Sequence, residues 1–295
     1  MKKPYLDYQC IRCLITRNLK IDEAEATDED KTLYVRELLK IITESPKSSS
    51  APDVVEKINK LQKDFNIFTF DCKKIKSYYN RMILEYEAEI QQKINCSTDK
   101  LYTAVRYALI GNFIDFGANS NLKDDELKKL IDNVDNVNFD MAEFNSLKNE
   151  LKQAKKITYL ADNCGEIVFD KILIKCIKEL YPHIEITVIV RGEDVLNDVT
   201  LEDAKEVNLC DIVKVIDNGT AIAGTNLNRI SKQCLEAIES ADLIISKGMG
   251  NFETLIGCKK NIFYLFMCKC MKFCKILEVP LNSYMILNDK RLEIE

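Results

Sequence analysis

The chain has 295 residues, 46% of them hydrophobic, enough to bury one large core or two modest ones. Its 42 basic and 47 acidic residues leave a formal charge of −5 and are spread along the whole length, so nothing marks a nucleic-acid-binding face. A single histidine, His183, excludes paired-His zinc sites, HExxH proteases and two-His-one-carboxylate iron sites, so any metal here takes oxygen or sulfur ligands.

The opening "MKKPYLDYQCIRC" lacks the apolar stretch and small-residue cleavage site of a signal peptide. No run approaches the roughly 18 to 20 apolar residues of a membrane span. The expectation is a cytoplasmic protein with no membrane and no nucleic-acid partner. Its twelve cysteines then read mostly as reduced thiols.

Taken in chain order, the first half reads as helices. Residues 32 to 42 place Leu33, Val35, Leu38, Leu39 and Ile42 on one helical face, and "SPKSSSAP" (45 to 52) breaks the pattern. Residues 71 to 94 form one long amphipathic run. Ser97, Thr98 and Asp99 cap a helix through Leu101, Val105 and Leu109 that ends near Gly111, and shorter helical patterns follow at 124 to 132 and 139 to 154. His183, after Tyr181 and Pro182, reads as a turn residue.

From residue 157 short apolar runs alternate with helical stretches. Strands are predicted at 157–160, 185–190, 212–216, 241–246, 261–267 and 284–287, with helices at 166–180, 201–208 and 228–240. Such alternation implies right-handed crossovers and a mostly parallel sheet. The expected class is α/β: a Rossmann-like open, mostly parallel sheet with helices on both faces, plus a helical N-terminal domain. The division is placed at 1–152, a helical N-terminal or cap region, and 153–295, an α/β core.

Open α/β sheets bind ligands at the carboxyl ends of their strands. Three predicted strand ends carry polar residues: Asp162, Asn163, Gly165 and Glu166 after the first; Arg191, Asn197 and Asp198 after the second; Lys247, Gly248, Gly250, Asn251 and Glu253 after the fourth. Asp162, Asn163 and Asp198 are hard oxygen donors suited to Mg²⁺ or Mn²⁺. Read blandly, Asp162 caps the helix that follows and Asp198 belongs to the start of another. Lys247-Gly248, with Gly250, resembles a phosphate-cradling loop, although neither the P-loop nor the dinucleotide glycine motif is present.

These stretches match something specific. "GNFIDFG", "DNCGEIVFD", "RGEDVLNDVTLEDA", "NGTAIAGTNL" and "ADLIISKGMGNFETL" resemble the damage-control phosphatase family, long known as domain of unknown function 89, in its small prokaryote-type branch. The opening "YLDYQCIRCLITR" is similar to that branch's N-terminal CxxC segment, so the resemblance runs from residue 5 to about 270.

The resemblance implies a metal-dependent phosphatase acting on small phosphorylated metabolites, with a helical region packed on a Rossmann-like core. It puts Asp162 and Asn163 on the family's metal-binding pair and Asp198 on the third ligand. Asn112, Asp115, Glu166, Lys247 and Asn251 fall on other active-site positions. "YLFMCKC" looks like the family's "LLKAKC", which puts Lys269 on a lysine facing the phosphate, with Met267 and Cys268 replacing the usual lysine and alanine.

The expected chemistry is then hydrolysis of a phosphate monoester, a sugar phosphate or phosphorylated cofactor fragment, assisted by a divalent metal (Mg, Mn, Co or Ni). Asp162, Asp198, Glu166 and Lys269 are the candidate catalytic residues, with Asp198 or Glu166 as base. Lys247 or Lys269, with glycine-loop amides, would stabilise the transferring phosphoryl group. Asn112, Asp115, Arg191, Lys247, Gly248 and Asn251 are the candidate substrate-binding residues, with Asn112 and Asp115 on the organic portion.

Two other classes compete: an S-adenosylmethionine-dependent methyltransferase-like enzyme and a non-catalytic metabolite-binding protein. Cys10 and Cys13 read either as structural thiols, or as half of a zinc site completed by Cys268, Cys270 or Cys274, or as a redox pair. Oligomeric state leaves no trace in the sequence.

Overall fold

The computed structural model describes residues 5–67, 72–112 and 124–293. Six strands form one sheet: β1 (Lys156–Leu160), β2 (Glu185–Val190), β3 (Lys214–Asp217), β4 (Leu243–Lys247), β5 (Ile262–Cys268) and β6 (Ser283–Asn288). Their order is β3-β2-β1-β4-β5-β6, all parallel except the β5–β6 pair. This is the doubly wound order, and its switch point lies between β1 and β4.

Successive strand residues point to opposite faces, and each face has its own core. One face carries Ile157, Tyr159, Val188, Leu243, Ile245 and Phe263. Over it lie α4 (Cys72–Leu84), α5 (Glu87–Cys96), α6 (Lys100–Gly111), α7 (Asp124–Asp132), α8 (Met141–Gln153) and α9 (Glu166–Leu180). Within this layer α6 packs on α9, where the Tyr107 and Phe169 rings stack at 6.4 Å between centroids. The other face carries Leu160, Ile189, Ile244, Tyr264 and Phe266 under α11 (Lys232–Glu239), α12 (Gly248–Leu255) and α13 (Met271–Leu277). Helix α10 (Leu201–Glu206) follows β2.

A third, smaller cluster belongs to the N-terminal helices α1 (Tyr8–Asn18), α2 (Asp28–Glu44) and α3 (Ala51–Asp64), which bury Leu14, Tyr34, Leu38, Ile42, Val54 and Ile58 against one another. Polar contacts tie this cluster to the α/β part. Asn226 donates to Asp53 at 2.8 Å, Arg229 pairs with Glu56, and the Lys272 ammonium donates to the Tyr5 carbonyl. The helical first half is thus not uniform. Helices α4 to α8 share one core with the sheet, whereas α1 to α3 keep their own.

The amphipathic run at 71–94 is two helices, broken at Glu85 and Tyr86. Neither a glycine nor a proline marks the break. Both sides still bury isoleucines in one core, Ile83 before it and Ile90 and Ile94 after it, so tertiary packing decides the turn. Helix α3 begins directly after the serine-rich stretch, where Ser50 and Asp53 form a capping box and Pro52 sits in the first turn. Gly248 and Gly250 lie inside α12 instead of forming a loop before it. No helix among the described residues is long and apolar enough to cross a membrane.

Candidate active site

Strands β1 and β4 flank the switch point, and their carboxyl ends bring together residues distant in sequence. The β1 and β2 loops are stitched to each other by two backbone bonds, Val199 N–H to the Asp162 carbonyl at 2.9 Å and Cys164 N–H to Asn197 at 2.8 Å, and the β2 loop is closed on itself by Arg191 N–H to Val199 at 2.8 Å. An isolated antiparallel bridge sets Asn163 opposite Asp198. From the other side, Gly248 at φ +74° presses its backbone on the Asp162 carboxylate, where a Cβ would stand 1.8 Å from Oδ2. Only glycine fits there.

Neither aspartate caps a helix. The N-cap of α9 is Gly165, with no side-chain cap, and α10 is capped by Thr200 in a capping box with Asp203. Asp162 instead accepts from Asn163 at 2.7 Å, Arg191 at 3.3 Å and Asn112 at 3.4 Å. Asp198 accepts from Arg191 Nε at 2.6 Å. The side chains are held for something other than local backbone satisfaction.

Glu166 lies between two sets of donors. Its Oε2 accepts from Asn163 at 3.0 Å and Asn112 at 3.3 Å, and its Oε1 accepts from Lys247 at 2.7 Å. Asn112, at the end of α6, is fixed from behind because its Oδ1 accepts from Met267 N–H of β5 at 3.0 Å. Asn251 of α12 accepts from Arg191 at 3.0 Å and Thr225 at 2.8 Å, and donates to the Lys247 and Ala161 carbonyls.

Two of the expected substrate-binding cations stand behind the carboxylates, away from the position of an anion clamp. Lys247 is fully buried and uses its three N–H groups on Glu166 (2.7 Å), Asp170 (2.6 Å) and the Ala108 carbonyl (2.9 Å). Arg191 is buried to the same degree and spends its guanidinium on Asp198, Asp162, Asn251 and the Gly224 carbonyl. Lys269, in the turn between β5 and α13, is only half-buried, and its charge opposes the upward shift of Asp162. Asp115 lies outside the described residues.

Burial, then the neighbouring Asp198 and Glu166 charges, raises the Asp162 carboxyl well above the ordinary range; Arg191 and Lys269 oppose the shift. Burial also raises Asp198, against the pull of Arg191. Four buried carboxylates, Asp162, Glu166, Asp170 and Asp198, therefore face two buried cations, Arg191 and Lys247. Nearby Lys76 is already matched by Asp203 and Asp194 at 2.6 and 3.0 Å. Half-buried Lys269 adds a third positive charge near Asp162, and the carboxylates remain in excess.

The donor set fits a divalent ion by chemistry: Asp162 and Asp198 carry hard carboxylate oxygens, and Asn163, whose Oδ1 here accepts from Asn197 at 2.9 Å while its amide nitrogen faces Asp162, carries a third oxygen. The fit is by chemistry and charge, since among the described residues no three His, Cys, Asp or Glu side chains gather in metal-holding geometry. That holds also for the cysteines. Cys268 and Cys274 lie 3.4 Å apart and contact each other, Cys10 Sγ is 3.3 Å from Lys272 Nζ, and Cys13 is exposed.

Two members of the site escaped sequence reading. Asp170 lies one turn beyond Glu166 in α9, and Tyr159 of β1 donates to it at 2.7 Å. A carboxylate within the apolar run "IVFDKILI" was the available signal for Asp170. Tyr159 gave none.

Comparison with known proteins places the chain in a family and matches its fold. The damage-control phosphatase ARMT1-like domain matches residues 6–285. The uncharacterized protein MJ0202 of Methanocaldococcus jannaschii is 32% identical over 291 residues, 95% of this chain and 94% of its own length. Damage-control phosphatase PH1575 of Pyrococcus horikoshii is 37% identical over 190 residues, 63% of this chain and 64% of its own. A damage-control phosphatase of Archaeoglobus fulgidus is 29% identical over 88% of this chain and 91% of its own. The crystal structure of the Pyrococcus horikoshii DUF89 family protein ph1575 matches with a TM-score of 0.84 at 28% identity, covering 97% of this chain and all of that one.

Proposed function

The chain belongs to the damage-control phosphatase ARMT1-like family, and on that premise we propose that it is a divalent-metal-dependent phosphatase of small phosphorylated metabolites, working at the β1–β4 switch point. One observation carries the reading: two buried aspartates with raised pKa values, neither of them a helix cap, converge with a surplus of negative charge beside a glycine that only an absent side chain allows.

In this reading Asp162, Asn163 and Asp198 hold the ion, which when bound supplies Lewis-acid polarisation of a phosphoryl oxygen. Arg191 aligns both aspartates from behind through its Nε and Nη2 bonds. The first turn of α12 has no side-chain cap, so its amides, at Gly248 beside Asp162, face the phosphate as donors. Lys269 meets the remaining phosphate charge. Glu166 is the base: its Oε2 faces the same donors as Asp162, takes a proton from the attacking water as the phosphorus–oxygen ester bond breaks, and returns it to the departing alcohol oxygen. Asn112, carried by the helical half, bears on the organic portion of the substrate, with Asp115 following it in sequence. The protein acts in the cytoplasm on sugar phosphates or phosphorylated cofactor fragments.

The test is hydrolysis of para-nitrophenyl phosphate by metal-stripped protein with Mg²⁺, Mn²⁺, Co²⁺ or Ni²⁺ restored, beside Asp162→Ala and Asp198→Ala. Turnover that returns with metal and vanishes in both variants supports the proposal. A wild-type protein inert with every metal overturns it.

A further inference from the structure

Behind the proposed base lies a buried chain of polar groups that the phosphatase chemistry itself does not use. Tyr159 Oη donates to Asp170 Oδ1 at 2.7 Å, the same oxygen accepts from Lys247 at 2.6 Å, and Lys247 donates onward to Glu166 Oε1 at 2.7 Å. All four side chains are buried, and the other Asp170 oxygen, Oδ2, has no hydrogen-bond partner.

Such an arrangement is a poor device for stability. Two carboxylates share one ammonium away from water, and well-packed apolar residues in their place are often neutral or more stable. What the arrangement does achieve is geometric. Asp170 sits at i+4 from Glu166 on α9, so both carboxylates face the same way, and Lys247 is pinned between them and the Ala108 carbonyl of α6. Gly111 closes the other side: a Cβ there would stand 3.0 Å from Glu166 Cγ. Glu166 is left with one oxygen directed inward on Lys247 and one outward on Asn163 and Asn112.

We propose that Asp170 is a positioning residue for the reaction, acting with Tyr159 through Lys247 to fix which Glu166 oxygen faces the substrate, and that Lys247 serves Glu166 and does not clamp the phosphate. The inference rests on the phosphatase reading. Its signature is a loss in kcat without loss of phosphate or metal binding, because neither Asp170 nor Tyr159 touches a proposed ligand of either.

The experiment measures kcat and KM for para-nitrophenyl phosphate, inhibition by inorganic phosphate, and Mn²⁺ affinity in full-length wild type, Asp170→Ala, Asp170→Asn and Tyr159→Phe, with melting curves as the check on folding. Displacing a reacting group by an ångström costs on the order of 10²-fold. Asp170→Ala is therefore expected to lose about ten- to a hundredfold in kcat, with KM, phosphate inhibition and Mn²⁺ affinity unmoved. Asp170→Asn, whose amide oxygen still accepts from Lys247, is expected to recover most of that loss, and Tyr159→Phe to lose only a few-fold. If Asp170→Ala does not fold, Tyr159→Phe against wild type decides in the same way.

Phosphate inhibition weakening in step with kcat, Asp170→Asn failing to rescue, or kcat per folded molecule unchanged in the variants would each overturn the inference. Wild-type protein without turnover under any metal overturns the phosphatase reading and this inference with it. Wild-type turnover with indifferent variants overturns this inference alone.

Discussion

Gly248 is packed against Asp162 across the switch point so closely that a Cβ there would stand 1.8 Å from the carboxylate, which leaves no room for even the smallest side chain. Gly248→Ala also forces alanine to φ +74°, a conformation L residues rarely adopt. We expect this variant to lose about 1–3 kcal/mol of stability and most of its metal affinity, since the displaced group is a proposed ligand. Calorimetric titration with Mn²⁺ on the folded variant checks it; unchanged affinity would remove Asp162 from the ligand set.

Removing one buried negative charge separates stability from activity. Asp162→Asn keeps acceptors for Arg191 while easing the crowding of Asp162 with Asp198 and Glu166. The metal-free variant should melt at or above the wild-type temperature, and added Mn²⁺, expected to raise the wild-type melting temperature, should leave it unchanged. A variant that still gains stability from Mn²⁺ would place the ion elsewhere.

Asp170 provides a pH test. Burial, opposed by Lys247 and reinforced by Glu166, raises its carboxyl to about 6 from an ordinary 3.8. The folded protein therefore binds more protons than the unfolded chain between those values, and stability contributed by this group is present at the acid end and lost as pH rises towards 6. Denaturant unfolding of the metal-free protein at pH 4.5 and 6.5 should show wild type losing more stability than Asp170→Asn over that interval. Equal losses would mean that Asp170 is not the group responsible.

The separate core of α1 to α3 predicts local unfolding. Ile58 is fully buried in it, so Ile58→Ala should cost about 2–5 kcal/mol. The loss should fall on these helices first. Hydrogen exchange is expected to speed up in α1 to α3 while strands β1, β4 and β5 keep their protection. Uniform acceleration over the whole chain would show that the clusters unfold together.

Much of this architecture was legible in the sequence because parallel strands buried on both faces leave short apolar runs, and here those runs alternate with helical stretches. All six strands were placed within two residues of their observed ends, and α9 at its observed bounds. Residues 85 and 86 were not legible as a break, because packing of Ile83, Ile90 and Ile94, and no local breaker, turns the chain there. At the site, polar residues at predicted strand ends announced Asp162, Asn163, Asp198, Glu166 and Asn251, and the family resemblance added Asn112. The direction in which Lys247 and Arg191 point was not announced. A cation after a strand looks the same in sequence whether it faces a ligand or turns inward to pair with Asp170 or Asp198, and only the tertiary partners distinguish the two.

The hydrogen bond from Met267 N–H to Asn112 Oδ1 spans 155 positions of the chain. It ties a helix made early in synthesis to a strand made near the end, with Asp162 and Glu166 held in the same knot. A nascent chain still short of β5 has its aspartates but not the strand that fixes Asn112 over them.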